Sequence, residues 1–123
     1  MKEGLTMYKN LILYRNELKN KMLPKYKILG IVTEIILSKE LFEKNIDLTP
    51  FLLEVFNVTY KDYVMKSRTM ILARTNRLID KSSGEQVLEY RKKLTPFILE
   101  KIDELNDADQ NKNDKNLFSG WVN

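Results

Sequence analysis

Between a handful of breakers, the apolar residues of this chain recur at three- and four-residue steps. Only four glycines and three prolines punctuate 123 residues. That spacing is one face of an α-helix, repeated segment after segment, and it predicts a mainly α protein: a small bundle of about five helices. Leu11, Tyr14, Leu18 and Met22 mark a first helix, Leu5 to Met22, that stops before Pro24. Ile28, Val32, Ile35 or Ile36, and Leu41 or Phe42 mark a second, more apolar one from Tyr26 to Phe42. Thr49-Pro50 opens a third, running to about Phe56, because Thr caps well and Pro fits the first helical position. Residues 1–105 hold enough apolar side chains for one compact core and read as a single helical domain.

Composition removes most familiar chemistry. The chain has no Cys and no His, so disulfides, thiolate nucleophiles, the commonest metal ligand and the usual neutral-pH base are all missing. No Gly-rich phosphate loop is present, and pairs such as Glu40 with Glu43 or Glu85 with Glu89 read as solvated helix faces. The expectation is a protein that is not an enzyme and has no catalytic residue, cofactor or metal site. No apolar run is long or uncharged enough for a signal peptide or membrane span, so cytoplasmic is the default compartment and no membrane partner is expected.

A heptapeptide occurs almost twice. Leu48-Thr49-Pro50-Phe51-Leu52-Leu53-Glu54 and Leu94-Thr95-Pro96-Phe97-Ile98-Leu99-Glu100 differ at one position of seven. Duplication of half the molecule and chance reuse of a good helix start both account for it. On either account Thr95-Pro96 opens the last helix, and Phe51, Leu53, Phe97 and Leu99 are core residues. Residues 106–123 form an acidic, Asn-rich tail with almost nothing to bury, expected to be disordered in part. Leu117, Phe118 and Trp121 near its end could dock on the body or meet a protein partner.

Charge points to the segment that matters. Residues 58–79 carry five basic side chains against Asp62 alone, and the whole chain nets +4. Within it, Tyr63, Lys66, Met70, Arg74 and Arg77 follow helical steps and form one basic stripe, with Tyr60, Val64, Ile71 and Leu78 on the opposite side. A solvated face usually mixes signs; this one does not. Just before it, Leu52, Leu53 and Phe56 offer an inner face and Asn57 sits where a tight turn needs a residue tolerant of positive φ. Val58 plugs the angle, Thr59 caps a second helix starting near Thr59 or Tyr60, and Tyr63 and Val64 turn inward.

Residues 50–74 thus resemble the helix-turn-helix superfamily of DNA-binding proteins, except that Lys66 occupies a position expected to be apolar. The short, basic, Lys/Asn/Ile/Leu-rich style also resembles small regulators and DNA-processing accessory proteins of plasmids and phages of low-GC Gram-positive bacteria. The resemblance implies a non-catalytic protein of double-stranded DNA, a regulator or accessory factor of a mobile element, acting as a homodimer with a basic helix in the major groove. Thr59, Tyr60, Lys61, Lys66, Ser67 and Arg68 would grip or read DNA, with Arg74 and Arg77 on the flanking backbone. About six phosphate contacts would cost roughly a thousandfold in affinity between about 50 and 200 mM salt. Two alternatives stay open. One is a winged helix, with a small hairpin near 76–90 and Arg77 on the wing, against which Ser83 and Gln86 fit a helix capping box. The other is a helical adaptor or inhibitor seated in an acidic groove of a protein partner.

Overall fold

In the computed structural model, the backbone is described for residues 2–122 and side-chain burial for residues 7–108. Six α-helices succeed one another: α1 (Lys2–Leu18), α2 (Lys25–Leu37), α3 (Leu48–Phe56), α4 (Asp62–Met65), α5 (Arg68–Lys81) and α6 (Gly84–Val122). No strand occurs among the described residues. The winged alternative is therefore not adopted. Residues 76–90 are instead the end of α5, a two-residue break and the start of α6, capped as a reciprocal box: Gln86 N donates to Ser83 Oγ at 3.2 Å and Ser83 N to Gln86 Oε1 at 2.9 Å.

α1, α2 and α3 each bury one apolar face. Leu11, Tyr14 and Leu18 are buried on α1, Ile28, Ile31, Val32, Ile35 and Ile36 on α2, and Leu48, Phe51, Leu52, Val55 and Phe56 on α3. The first two helices end earlier than predicted. Beyond Leu18 the Asn20 side chain accepts from Met22 N at 3.0 Å, closing a turn ahead of Pro24. Met22, expected on the inner face, is 86% exposed. α2 stops at Leu37 because Ser38 Oγ accepts from Leu41 N, a local bond that competes with the helical ladder. Phe42 nevertheless reaches the core from outside the helix.

α1 packs on α6, α2 on α5, and α3 also on α6. Cations from neighbouring helices close three of the helix ends, whose last carbonyls lack intrahelical partners. Arg91 on α6 donates from Nε to Leu18 O at 3.0 Å and also reaches Asn20 O and Lys21 O, at the end of α1. Arg68 on α5 donates to Ile36 O at 2.9 Å, at the end of α2. Lys25 on α2 donates to Asp80 O at 3.0 Å and Ser82 O at 3.1 Å, at the end of α5. The last two contacts join opposite ends of α2 and α5, so that pair is antiparallel.

The two copies of the heptapeptide meet in the core, with Phe51 and Phe97 ring centroids 4.6 Å apart. Phe42, Phe56 and Tyr90 extend the cluster. Equivalent positions behave alike: Leu48 and Leu94, Phe51 and Phe97, and Leu52 and Ile98 are buried. Leu53 and Leu99 are not core residues, being 50% and 43% exposed, and Val55 completes the inner face of α3 in place of Leu53. The copies differ in backbone role. The first starts a helix, but a 3-10 turn at Asn45–Asp47 runs straight into α3, so Thr49 is already helical and does not cap. The second lies inside α6, and Pro96 does not begin a helix. Pro96 cannot donate to Lys92 O, but both residues are exposed and water can serve that carbonyl. Thr95 Oγ1 bonds back to Arg91 O at 3.1 Å rather than capping. Burial of Leu94, Phe97, Ile98 and Ile102, each worth about 1.5–3 kcal/mol, outweighs a proline cost of about 3 kcal/mol.

α6 includes the backbone of the polar tail as far as Val122. The side chains of Leu117, Phe118 and Trp121 lie outside the described residues.

Candidate nucleic-acid interface

The turn after α3 forms as its residues require. Asn57 adopts the left-handed conformation, φ 55° and ψ 42°, the one non-glycine positive φ among the described residues. Its N–H donates to Leu53 O at 3.0 Å, and Val58 N donates to Leu52 O at 3.3 Å, closing the last turn of α3. Val58 packs against the core, as expected.

Residues 59–81 depart from one continuous second helix. Thr59 is exposed and caps nothing, and the chain stays non-helical through Lys61. Tyr60 turns inward: its hydroxyl lies 2.9 Å from Thr75 Oγ1, and Thr75 donates its own proton to Ile71 O at 2.8 Å. The phenol must therefore be the donor to Thr75. Burial raises its pKa above the usual tyrosine value and keeps it protonated for that bond. Tyr60 is thus a bolt between the loop and α5, not a surface contact. One turn of helix, α4, then buries Val64, while Tyr63, expected to face inward, is 56% exposed.

The helix breaks at Lys66-Ser67. Ser67 is extended, φ −126° and ψ 114°, and its Oγ accepts from Met70 N at 3.2 Å as the N-cap of α5. Ser is a strong capping residue, so the sequence carries a local signal for this break. The break also aims Arg68 inward. Its Nε donates to Asn45 Oδ1 at 2.8 Å, and its two Nη atoms donate to Ile36 O at 2.9 Å and Phe42 O at 2.8 Å. Burial lowers the Arg68 pKa while Asp47 opposes the shift. With three acceptors engaged, Arg68 is a strut joining α2, the 38–47 segment and α5. It leaves the set available to a ligand.

Exposed cations remain on both sides of the break. Lys66, Arg74 and Arg77 are exposed, with Tyr63 and Met70 among them, and Arg74 Nη2 donates to Tyr63 Oη at 3.4 Å across the α4–α5 joint. Lys61 is exposed just ahead of α4. Lys81, four residues beyond Arg77, is exposed as well and extends the stripe to the end of α5. A charge count that closes at Ile79 misses Lys81 and the exposed Asp80 beside it, which together leave the segment's net charge unchanged. Ile71, Thr75 and Ile79 bury the other side of α5. Among the described residues the ion pairs are Glu17–Lys27, Glu89–Lys92 and Glu104–Lys101. None involves the five cations of the stripe.

Among the described residues no group of three or more Asp, Glu, His or Cys is placed to hold a metal ion, and no helix is long and apolar enough to cross a membrane. No protein-family model, no curated protein and no solved structure matches the chain.

Proposed function

We propose that the α4–α5 surface binds double-stranded DNA and that the protein is non-catalytic, a transcriptional regulator or a DNA-processing accessory factor. One observation carries the reading: Arg74, Arg77 and Lys81 are exposed at helical spacing along α5, Lys61 and Lys66 are exposed at the two ends of α4, and none of the five is in an ion pair among the described residues. Phosphate is the ligand such a surface attracts most strongly, through Coulomb attraction and counterion release. Rigidity supports it too. Tyr60 and Arg68 tie α5 to the preceding loop and to α2, and Ser67 caps its start, so little ordering is needed when phosphates dock. In this reading α3, the Asn57 turn and α4–α5 act as a helix-turn-helix whose second helix is divided. Arg74 and Arg77 face the groove and its phosphates, and Lys61 and Lys66 grip the flanking backbone.

Fluorescence anisotropy of a labelled AT-rich duplex pool tests the assignment. Wild type should bind at micromolar concentration or tighter in about 50 mM salt, and Lys66→Glu/Arg74→Glu should bind roughly a hundredfold more weakly. Both side chains are exposed, so the variant should keep the wild-type melting temperature. Absence of binding by wild type at low salt would overturn the reading.

A further inference from the structure

The loop between α1 and α2 reads Lys19-Asn20-Lys21-Met22-Leu23-Pro24, two cations with no acid, and Lys25 opens α2. Its most exposed large apolar side chain is Met22, at 86%, and Tyr26, at 67%, follows in the first turn of α2. An apolar side chain standing in water at a floppy loop needs no explanation. This loop is clamped. The Arg91 guanidinium takes the carbonyls of Leu18, Asn20 and Lys21, the Asn20 side chain takes Met22 N, and Pro24 fixes the exit. The backbone is thus held on both sides of a methionine that buries almost nothing.

We infer that the α1–α2 loop is a second DNA contact, with Lys19 and Lys21 on the phosphates of a minor groove and Met22 as an apolar wedge against a base step. This rests on the DNA-binding reading above and goes beyond it. Proteins that bend DNA from the minor groove combine lysine, arginine or asparagine with a protruding apolar side chain in this way, unstacking a step and kinking the duplex by about 20–90°. A wedge must be presented rigidly, or the ordering cost cancels its contact, and the Arg91 clamp supplies that rigidity. The loop also lies near the end of α5 that carries Lys81. Lys25 Nζ touches Asp80 O and Ser82 O, the residues flanking Lys81, so the start of α2 adjoins the end of α5. One duplex lying along α5 would meet the loop at that end.

An AT-rich duplex of about 25 base pairs, with a donor and an acceptor dye at its ends, reports binding by anisotropy and bending by energy transfer. Wild type should bind and raise the transfer efficiency. Met22→Ala should bind within about threefold of wild type yet leave the duplex unbent. Lys19→Ala/Lys21→Ala should lose about tenfold in affinity and the bend with it. Both variants change exposed side chains, so melting should be unchanged. If Lys66→Glu/Arg74→Glu abolishes binding while both loop variants bend DNA like wild type, the loop assignment is overturned and the α5 assignment stands. If wild type binds no duplex, both fall. If the loop variants keep the bend but lose binding to phosphatidylserine vesicles that wild type shows, the loop serves a lipid surface and the wedge is overturned.

Discussion

Phe51→Ala should destabilise the protein by about 3–5 kcal/mol, lowering the melting temperature by roughly 12–20 °C. Phe51 is fully buried at the point where three other rings converge: Phe97 at 4.6 Å, Phe42 at 5.5 Å and Phe56 at 5.8 Å between centroids. These rings come from α3, α6 and the segment after α2, so the cavity would open where separate elements join and no one of them could collapse to fill it. With a total stability of about 5–15 kcal/mol for a domain of this kind, the variant would be close to unfolding. Phe97→Ala should cost a similar amount, and the double variant less than the sum by about 0.5–1.5 kcal/mol, the direct ring–ring coupling. Thermal melts by circular dichroism measure all three. A loss below about 1 kcal/mol for Phe51→Ala would contradict this packing.

Arg68→Ala should cost about 2–3 kcal/mol although the side chain lies in the most basic part of the sequence. Removing the guanidinium leaves Ile36 O and Phe42 O short of a donor in part-buried positions and frees Asn45. Arg68→Lys should recover less than half of the loss, because a single ammonium cannot span the three acceptors of a planar fork. DNA affinity measured well below the melting temperature should stay within about threefold of wild type. A stable Arg68→Ala protein with lost DNA binding would return the residue to the interface.

The contrast between Arg68 and Arg74 shows where sequence reading stops. Both sit in the same basic segment, and the Ser67 cap that sets Arg68 at the start of α5 does not by itself say where its guanidinium goes. The difference lies in Ile36 O, Phe42 O and Asn45, acceptors 23 to 32 residues away in the chain. Features that depend on near neighbours were legible: the apolar face of α2, the left-handed Asn57, the Ser83–Gln86 box and the exposure of Met70, Arg74 and Arg77 on α5. Those that depend on partners across the fold were not. Pro96 inside α6 results from the burial of Leu94, Phe97 and Ile98, a tertiary term larger than the local preference of Thr-Pro for a helix start. Leu53 and Leu99 look like core residues by composition, but the packing of α3 on α6 through Phe51 and Phe97 turns both outward. The division of the second helix at Ser67 is the exception, a local capping signal that also suits a ligand contact.

The salt dependence of duplex binding tests the central claim most directly, because it counts charges rather than assuming them. Five cations on the α4–α5 surface contribute about −4.5 to the slope of log affinity against log salt, roughly a five-hundredfold loss between about 50 and 200 mM, and Lys19 and Lys21 of the α1–α2 loop add about −1.8. Lys66→Ala/Arg74→Ala should flatten that slope by about 1.8, whereas Arg68→Ala should leave it unchanged. Such a pattern would place the phosphates on the exposed stripe. A slope near zero in wild type, or one that only Arg68→Ala changes, would contradict it.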